Sequence, residues 1–255
     1  MINETDGNQF PPHIEKDNKI YVFSTDLCRS LYLEYEKNVF IRGISAYRFT
    51  TPTKLFGNPS TNPSNKCFCT DPQSCLHDGT IELSACQQGS PVVASTPHFY
   101  QGSSKYREDV IGFKPEKTKH ETYLDVEPMT GLVLNGRKGI QLNVYVKQNS
   151  YIAGLTNIKD VLMPLAWLSE SASLDEEKAE DFRWQVQTPV KIGTGTTLAA
   201  VVVGSLWTLL AAGAAIFFCK QRKSSSIGVS SEHSFTPVKT QQKMQRGTIN
   251  RVLEA

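Results

Sequence analysis

The sequence has no G-x-S-x-G elbow, no H-E-x-x-H pair and no glycine-rich phosphate loop. Those absences remove the common signatures of serine hydrolases, zinc proteases and nucleotide-dependent enzymes. Histidine is scarce: His13, His77, His98, His120 and His233 are dispersed along 255 residues. Asp125 and Glu127 lie two apart in an extended segment, so they share a face as a catalytic carboxylate pair would. Hydrogen bonds or salt bridges at a sheet edge are the more economical reading. No catalytic residue, metal site or cofactor is assigned, and the sequence reads as a binding or transport protein, not an enzyme. The N-terminal stretch MINETDGNQFPPHIEKD also lacks the basic and apolar regions of a signal peptide. A translocated domain needs such a start, so the expectation is the C-terminal portion of a longer chain.

Charge is missing altogether from one region. Residues 192–219 carry none, between Lys191 and Lys220. A bilayer core needs about 20 apolar residues as a helix, which places a span near residues 196–218. KQRK follows immediately, so the positive-inside rule puts the tail in the cytosol and the larger part outside. Three regions result: an extracellular or lumenal ectodomain (1–191), a transmembrane helix (192–219) and a disordered cytoplasmic tail (220–255). The tail carries seven Lys/Arg against two Asp/Glu, or +5, and the remainder 20 against 23, or −3. The net +2 therefore hides an asymmetric molecule and is no sign of nucleic-acid binding. Cys219, at the membrane boundary, is a palmitoylation candidate. The tail has neither a tyrosine nor an acidic dileucine signal.

Five cysteines precede the span: Cys28, Cys67, Cys69, Cys75 and Cys86. On the translocated side they read as a disulfide framework with one member unpaired. Zinc ligation fits less well, because C-x-C-x5-C-x10-C does not match paired C-x2-C knuckles. Asn3-Glu4-Thr5 is a glycosylation sequon, whereas those at Asn58 and Asn62 are blocked by Pro59 and Pro63.

Local patterns predict a mainly β ectodomain with helical decoration. FSTDLCRSLYLEYEK places Leu27, Leu31 and Tyr35 at i, i+4, i+8 after three N-cap candidates, which predicts a helix of about three turns. NVFIRGISAYRF reads as extended, with a bulge at Gly43. Residues 51–65 form a long Pro/Asn-rich loop closed by the cysteine cluster. Ile140, Leu142, Val144 and Val146 alternate, as do Val161, Met163, Leu165 and Trp167, while Asn135-Gly136 and Lys138-Gly139 predict turns. Asp175 caps a short helix leading to the membrane.

Several of these segments together resemble one family. INETDGNQFPP is similar to the I-N-G-T-D-x-x-x-F-P-P segment of class B scavenger receptors, the family of the fatty-acid translocase, the lysosomal integral membrane protein and the lipoprotein receptor. FSTDLCRSLY resembles its F-S-S-D-x-C-R-S segment, and CFCTDPQSC through CQQGSPVVASTPHF its cysteine-rich stretch. HETYLDVEPMTG and MPLAWLSE complete the series, in the family's order.

The resemblance implies a glycosylated, antiparallel β-barrel-like ectodomain between two membrane spans, with an apical helical bundle and an apolar tunnel toward the bilayer. This chain would supply half of that barrel, followed by one C-terminal transmembrane helix. The implied role is a cell-surface receptor that binds lipoprotein, phospholipid or fatty acid and passes lipid through the tunnel. Implied partners are lipids, lipoproteins and anionic phospholipid surfaces, with room for a homo-oligomer. The alternative is a lysosomal or endosomal sorting receptor for a lumenal hydrolase. The resemblance also implies a pairing: Cys28 with Cys86 and Cys69 with Cys75. Cys67 is then left over, its family partner lying just upstream of the first segment.

Overall fold

The computed structural model describes residues 5–69 and 75–225. The Asn3 sequon and the tail beyond Ser225 lie outside the described residues. Eight strands form one antiparallel sheet: β1 (Ile20–Ser24), β2 (Arg29–Ile41), β3 (Ile44–Thr50), β4 (Thr80–Glu82), β5 (Val92–Ser95), β6 (Tyr123–Val126), β7 (Val133–Val146) and β8 (Val161–Ser173). Their order is β1-β2-β3-β6-β7-β5-β4, with β8 also paired to β7. The helices are α1 (Ser104–Asp109), α2 (Lys117–His120), α3 (Glu176–Phe182) and α4 (Thr188–Ser225), and a π-helical turn, Arg183–Gln187, precedes α4. The fold is thus mainly β with helices, and the sheet is not closed.

The predicted helix around Cys28 is instead the β1–β2 hairpin. Four residues is two strand periods and also close to one helical turn, so Leu27, Leu31 and Tyr35 satisfy both patterns. Leu33 breaks the tie. It points with Leu31 into the core, the two being 3% and 9% exposed, whereas a helix would turn it away. The chain reverses at Thr25–Cys28, where the Cys28 amide donates to the Thr25 carbonyl and Cys28 adopts φ 54°.

Gly43 does not form a bulge either. Arg42 and Gly43 both take positive φ, 48° and 78°, and make the two-residue turn joining paired Ile41 and Ile44. That geometry matches the twist of a hairpin, and glycine adopts it without steric penalty. The irregularity in β2 falls between Tyr35 and Lys37.

The predicted turns at Asn135-Gly136 and Lys138-Gly139 are also absent, because β7 runs straight through them. Its glycines serve close packing. A Cβ at Gly136 would lie 2.8 Å from Leu124 Cδ2, and one at Gly139 2.9 Å from Pro97 Cγ. At Gly139 the sheet forks: Val133–Arg137 pair with β6, Gln141–Val144 with β5, and β8 follows almost the whole opposite edge.

Core clusters form along this sheet. Phe10, Ile20, Leu33, Phe49 and Val126 make one, and Leu27, Leu31, Leu55, Ile81, Leu83 and Ala94 another. Ala179 and Phe182 dock α3 on Ile44, Ala46 and Leu134. Asp175 caps α3 by accepting from the Lys178 amide at 2.8 Å. By contacts the chain divides into Met1–Pro189 and Val190–Ala255. In the second unit, α4 exposes Leu198, Val201, Leu206, Trp207 and Ile216 around its circumference. A helix apolar all round needs an apolar solvent. It is the one helix among the described residues long and apolar enough to cross a membrane.

Candidate functional site

One face of the fork carries an apolar groove. Val92 of β5, Ile140 and Leu142 of β7, Leu168 of β8 and Leu83 line a cavity of about 350 Å3. That is within the usual range for small-molecule sites, roughly 300–1,000 Å3. Its rim is polar: Asp26, Gln87, Ser90, Lys138 and Glu170. Lys138 pairs with Asp26 and lies 3.8 Å from Glu170. The groove exists because β8 continues the sheet beyond the β1–β2 hairpin, whose Leu27 and Leu31 cover the neighbouring part of the same face. Leu165, Leu168 and Trp167 of β8 stay 63%, 59% and 47% exposed. The outer edge of β8 has no strand partner among the described residues. An apolar floor with a charged rim can take an amphipathic ligand: chain on the floor, polar end at the rim.

The opposite face of β7 is buried and polar. Gln141 and Asn143 are fully enclosed. Gln141 Nε2 donates to Asn143 Oδ1 at 2.8 Å, and Asn143 Nδ2 donates to the Val93 carbonyl at 2.9 Å and to Ser95 Oγ at 3.1 Å. The His98 amide donates to Gln141 Oε1 at 2.9 Å. A fully connected network of this kind fixes one register, since any slip leaves buried amides unpaired. Sequence reasoning missed it. The available signal was two amides at i, i+2 set between the alternating Ile140, Leu142 and Val144.

Asp125 and Glu127 are not a carboxylate pair with free oxygens. Asp125 is wholly buried and accepts from Arg48 Nε and Nη2, both at 2.7 Å, and from Asn135 Nδ2 at 2.8 Å. The Asp125 hydrogen bond raises the pKa of Arg48, whose guanidinium also lies 4.0 Å over the Tyr123 ring. Glu127 sits past the end of β6 and accepts from the Thr130 amide at 2.8 Å and hydroxyl at 2.6 Å. Both carboxylates hold structure.

Disulfides join Cys28 to Cys86, with Cα atoms 6.3 Å apart, and Cys69 to Cys75, at 5.6 Å. The first clamps the β1–β2 turn to the segment after β4; the second closes a six-residue separation in the loop. Cys67 is exposed and unbonded, beside Phe68, whose ring lies 3.7 Å under the Arg29 guanidinium. Cys219 is exposed on α4. No group of three or more His, Cys, Asp or Glu that could hold a metal occurs among the described residues.

An antiparallel sheet with an apolar groove, plus one helix of membrane-spanning length and composition, fits the class of membrane-associated binding proteins. Comparison with known proteins narrows the class. The CD36 family profile matches residues 1–215, and the chain belongs to that family, which includes the class B scavenger receptors. Rat (Rattus norvegicus) lysosome membrane protein 2 is 36% identical over 188 residues, covering 74% of this chain and 39% of the relative. Sensory neuron membrane protein 2 of Heliothis virescens is 38% identical over 191 residues, covering 72% and 36%. Scavenger receptor class B member 1 of Cricetulus griseus is 34% identical over 186 residues, covering 73% and 36%. The chain thus spans well under half the length of these relatives.

Proposed function

We propose that the chain forms part of a lipid receptor of the scavenger class. Residues 1–191 lie on the extracellular or lumenal side, 192–219 cross the bilayer and 220–255 face the cytosol, with Asn3 glycosylated and Cys219 palmitoylated. An amphipathic lipid, delivered by a lipoprotein or an anionic phospholipid surface, rests its acyl or sterol part on the β5–β7–β8 groove. From there it passes through an apolar tunnel to the membrane. Each methylene kept from water is worth about 0.8 kcal/mol, so an apolar path speeds downhill transfer without catalysis or an energy source. The observation that carries this reading is the groove of Val92, Ile140, Leu142 and Leu168, open to solvent yet floored by aliphatic side chains.

The test is uptake of a fluorescent phospholipid or sterol ester by cells displaying the complete receptor, compared with Leu142→Glu and Leu168→Glu at matched surface levels. Uptake falls several-fold in the variants on this reading; equal uptake sinks it. The similarity to a lysosome membrane protein supports a second reading, a lysosomal sorting receptor for a lumenal hydrolase. Immunolocalisation separates the two, because a purely lysosomal pool excludes the cell-surface role.

A further inference from the structure

A second cleft, of about 570 Å3, lies at the other end of the fork, on the face away from the groove. Two of its walls are histidines from distant segments. His98 sits in the turn Pro97–Phe99, held at φ 54°, and His120 ends α2 and is buried. Their rings stack at 4.4 Å and are 8° from parallel. Trp167 of β8 meets both edge-on, at 6.1 and 5.9 Å, and Phe113 meets His98 at 5.6 Å.

Both imidazoles are used as acceptors. The Lys114 amide donates to His98 Nδ1 at 3.2 Å, and the Glu116 amide donates to His120 Nδ1 at 2.9 Å. A backbone N–H aimed at Nδ1 favours the tautomer with its proton on Nε2. A proton added at Nδ1 would face a backbone N–H, donor against donor, and two stacked imidazolium rings would repel. The surroundings oppose protonation too. Lys114 and Lys119 on the same segment and Arg137 of β7 are cationic, Glu116 alone is anionic, and β8 contributes uncharged Trp167 and Ser169. Glu116 is itself engaged by Lys119 at 2.9 Å.

We propose that this stacked pair is an acid-sensitive latch: protonation of His120 breaks its stack on His98, releases residues 113–120 from the sheet and opens the cleft beside Trp167. The opening is independent of what the apolar groove binds. Burial, then His98, lowers the His120 pKa below its ordinary 6.5. The neutral, latched state is therefore fully favoured above that value and loses ground as pH falls below it. Endosomal acidification lies in this window.

Hydrogen exchange on the full chain in detergent micelles tests the latch. After correction for intrinsic exchange, protection of the Lys114 and Glu116 amides falls between about pH 7.5 and about pH 5, by up to about 30-fold. In the double variant His98→Asn/His120→Asn, Oδ1 accepts at the Nδ1 position but takes up no proton, and the pH step disappears. Equal protection at both pH values in the native chain, or a step that persists in the double variant, overturns the proposal. A second measurement stands apart from those substitutions. With Trp184→Phe and Trp207→Phe, both exposed positions, Trp167 alone reports; its emission shifts to the red on acidification, and an unchanged spectrum overturns the latch as well.

Discussion

β2 and β8 are each 13 residues long, each antiparallel, and each rich in large apolar side chains. Their fates differ. β2 is paired with β1 along its first part and β3 along its second, and Leu31 and Leu33 are enclosed. Among the described residues β8 pairs with β7 alone, and it leaves Leu165 and Leu168 largely in solvent. The same local pattern thus makes scaffold in one place and an unpartnered apolar surface in the other. What decides is the segment packed against each face. In a soluble domain, an exposed apolar strand marks a place for something else to bind.

The sharpest way to break the comparison is to damage the scaffold. Phe49, wholly enclosed with Leu33 and Val126, is expected to cost about 4 kcal/mol when changed to Ala. Chemical denaturation of the full chain in micelles reads this directly. The Cys28–Cys86 bridge spans 58 positions, so Cys28→Ser/Cys86→Ser should lose roughly 4 kcal/mol in the chain-entropy model. Asp125→Ala leaves Arg48 half-buried without its carboxylate, and about 3 kcal/mol is expected. A loss under about 1 kcal/mol would show that water already serves Arg48 in that corner.

Much of this division can be read in the sequence, and the exceptions have physical causes. The long apolar helix follows from the charge-free stretch at 192–219, and the strands of β7 and β8 from strict alternation. The β1–β2 hairpin resembles a helix in sequence because Leu27, Leu31 and Tyr35 fit two periods at once. β7 looks interrupted in sequence because Gly136 and Gly139 resemble turn residues, although Leu124 and Pro97 explain them by close approach. The groove, the Gln141–Asn143 network and the His98–His120 stack come from segments 20 or more residues apart. Periodicity says which residues share a face; it does not say what lies opposite.

Gly139 tests the fork itself. A methyl there must displace Pro97, whose Cγ would stand 2.9 Å away, and the Gly139 amide donates to Thr122 Oγ1 at 3.1 Å. Gly139→Ala is expected to cost about 2 kcal/mol by overpacking. It should also perturb both branches of the fork, seen as altered exchange in β5 and β6 together. A change confined to one branch would mean that the two strands respond separately.

Leu168→Ala is the smallest stability effect and the most informative contrast with Leu33→Ala. Leu33 is enclosed in β2, so its truncation should cost about 3 kcal/mol through lost burial and the cavity left behind. Leu168 is 59% exposed on β8, so most of its surface is already in water and the loss should stay under about 1 kcal/mol. If β8 is a lipid-contacting strand, the order reverses in a transfer assay. Leu168→Ala would slow lipid uptake at unchanged surface display, whereas Leu33→Ala would lower display and leave uptake per displayed receptor close to normal. Should Leu168→Ala prove as destabilising as Leu33→Ala in the complete receptor, β8 would be scaffold there. Its exposed face would then be covered by protein, and the groove would be core instead of a binding surface.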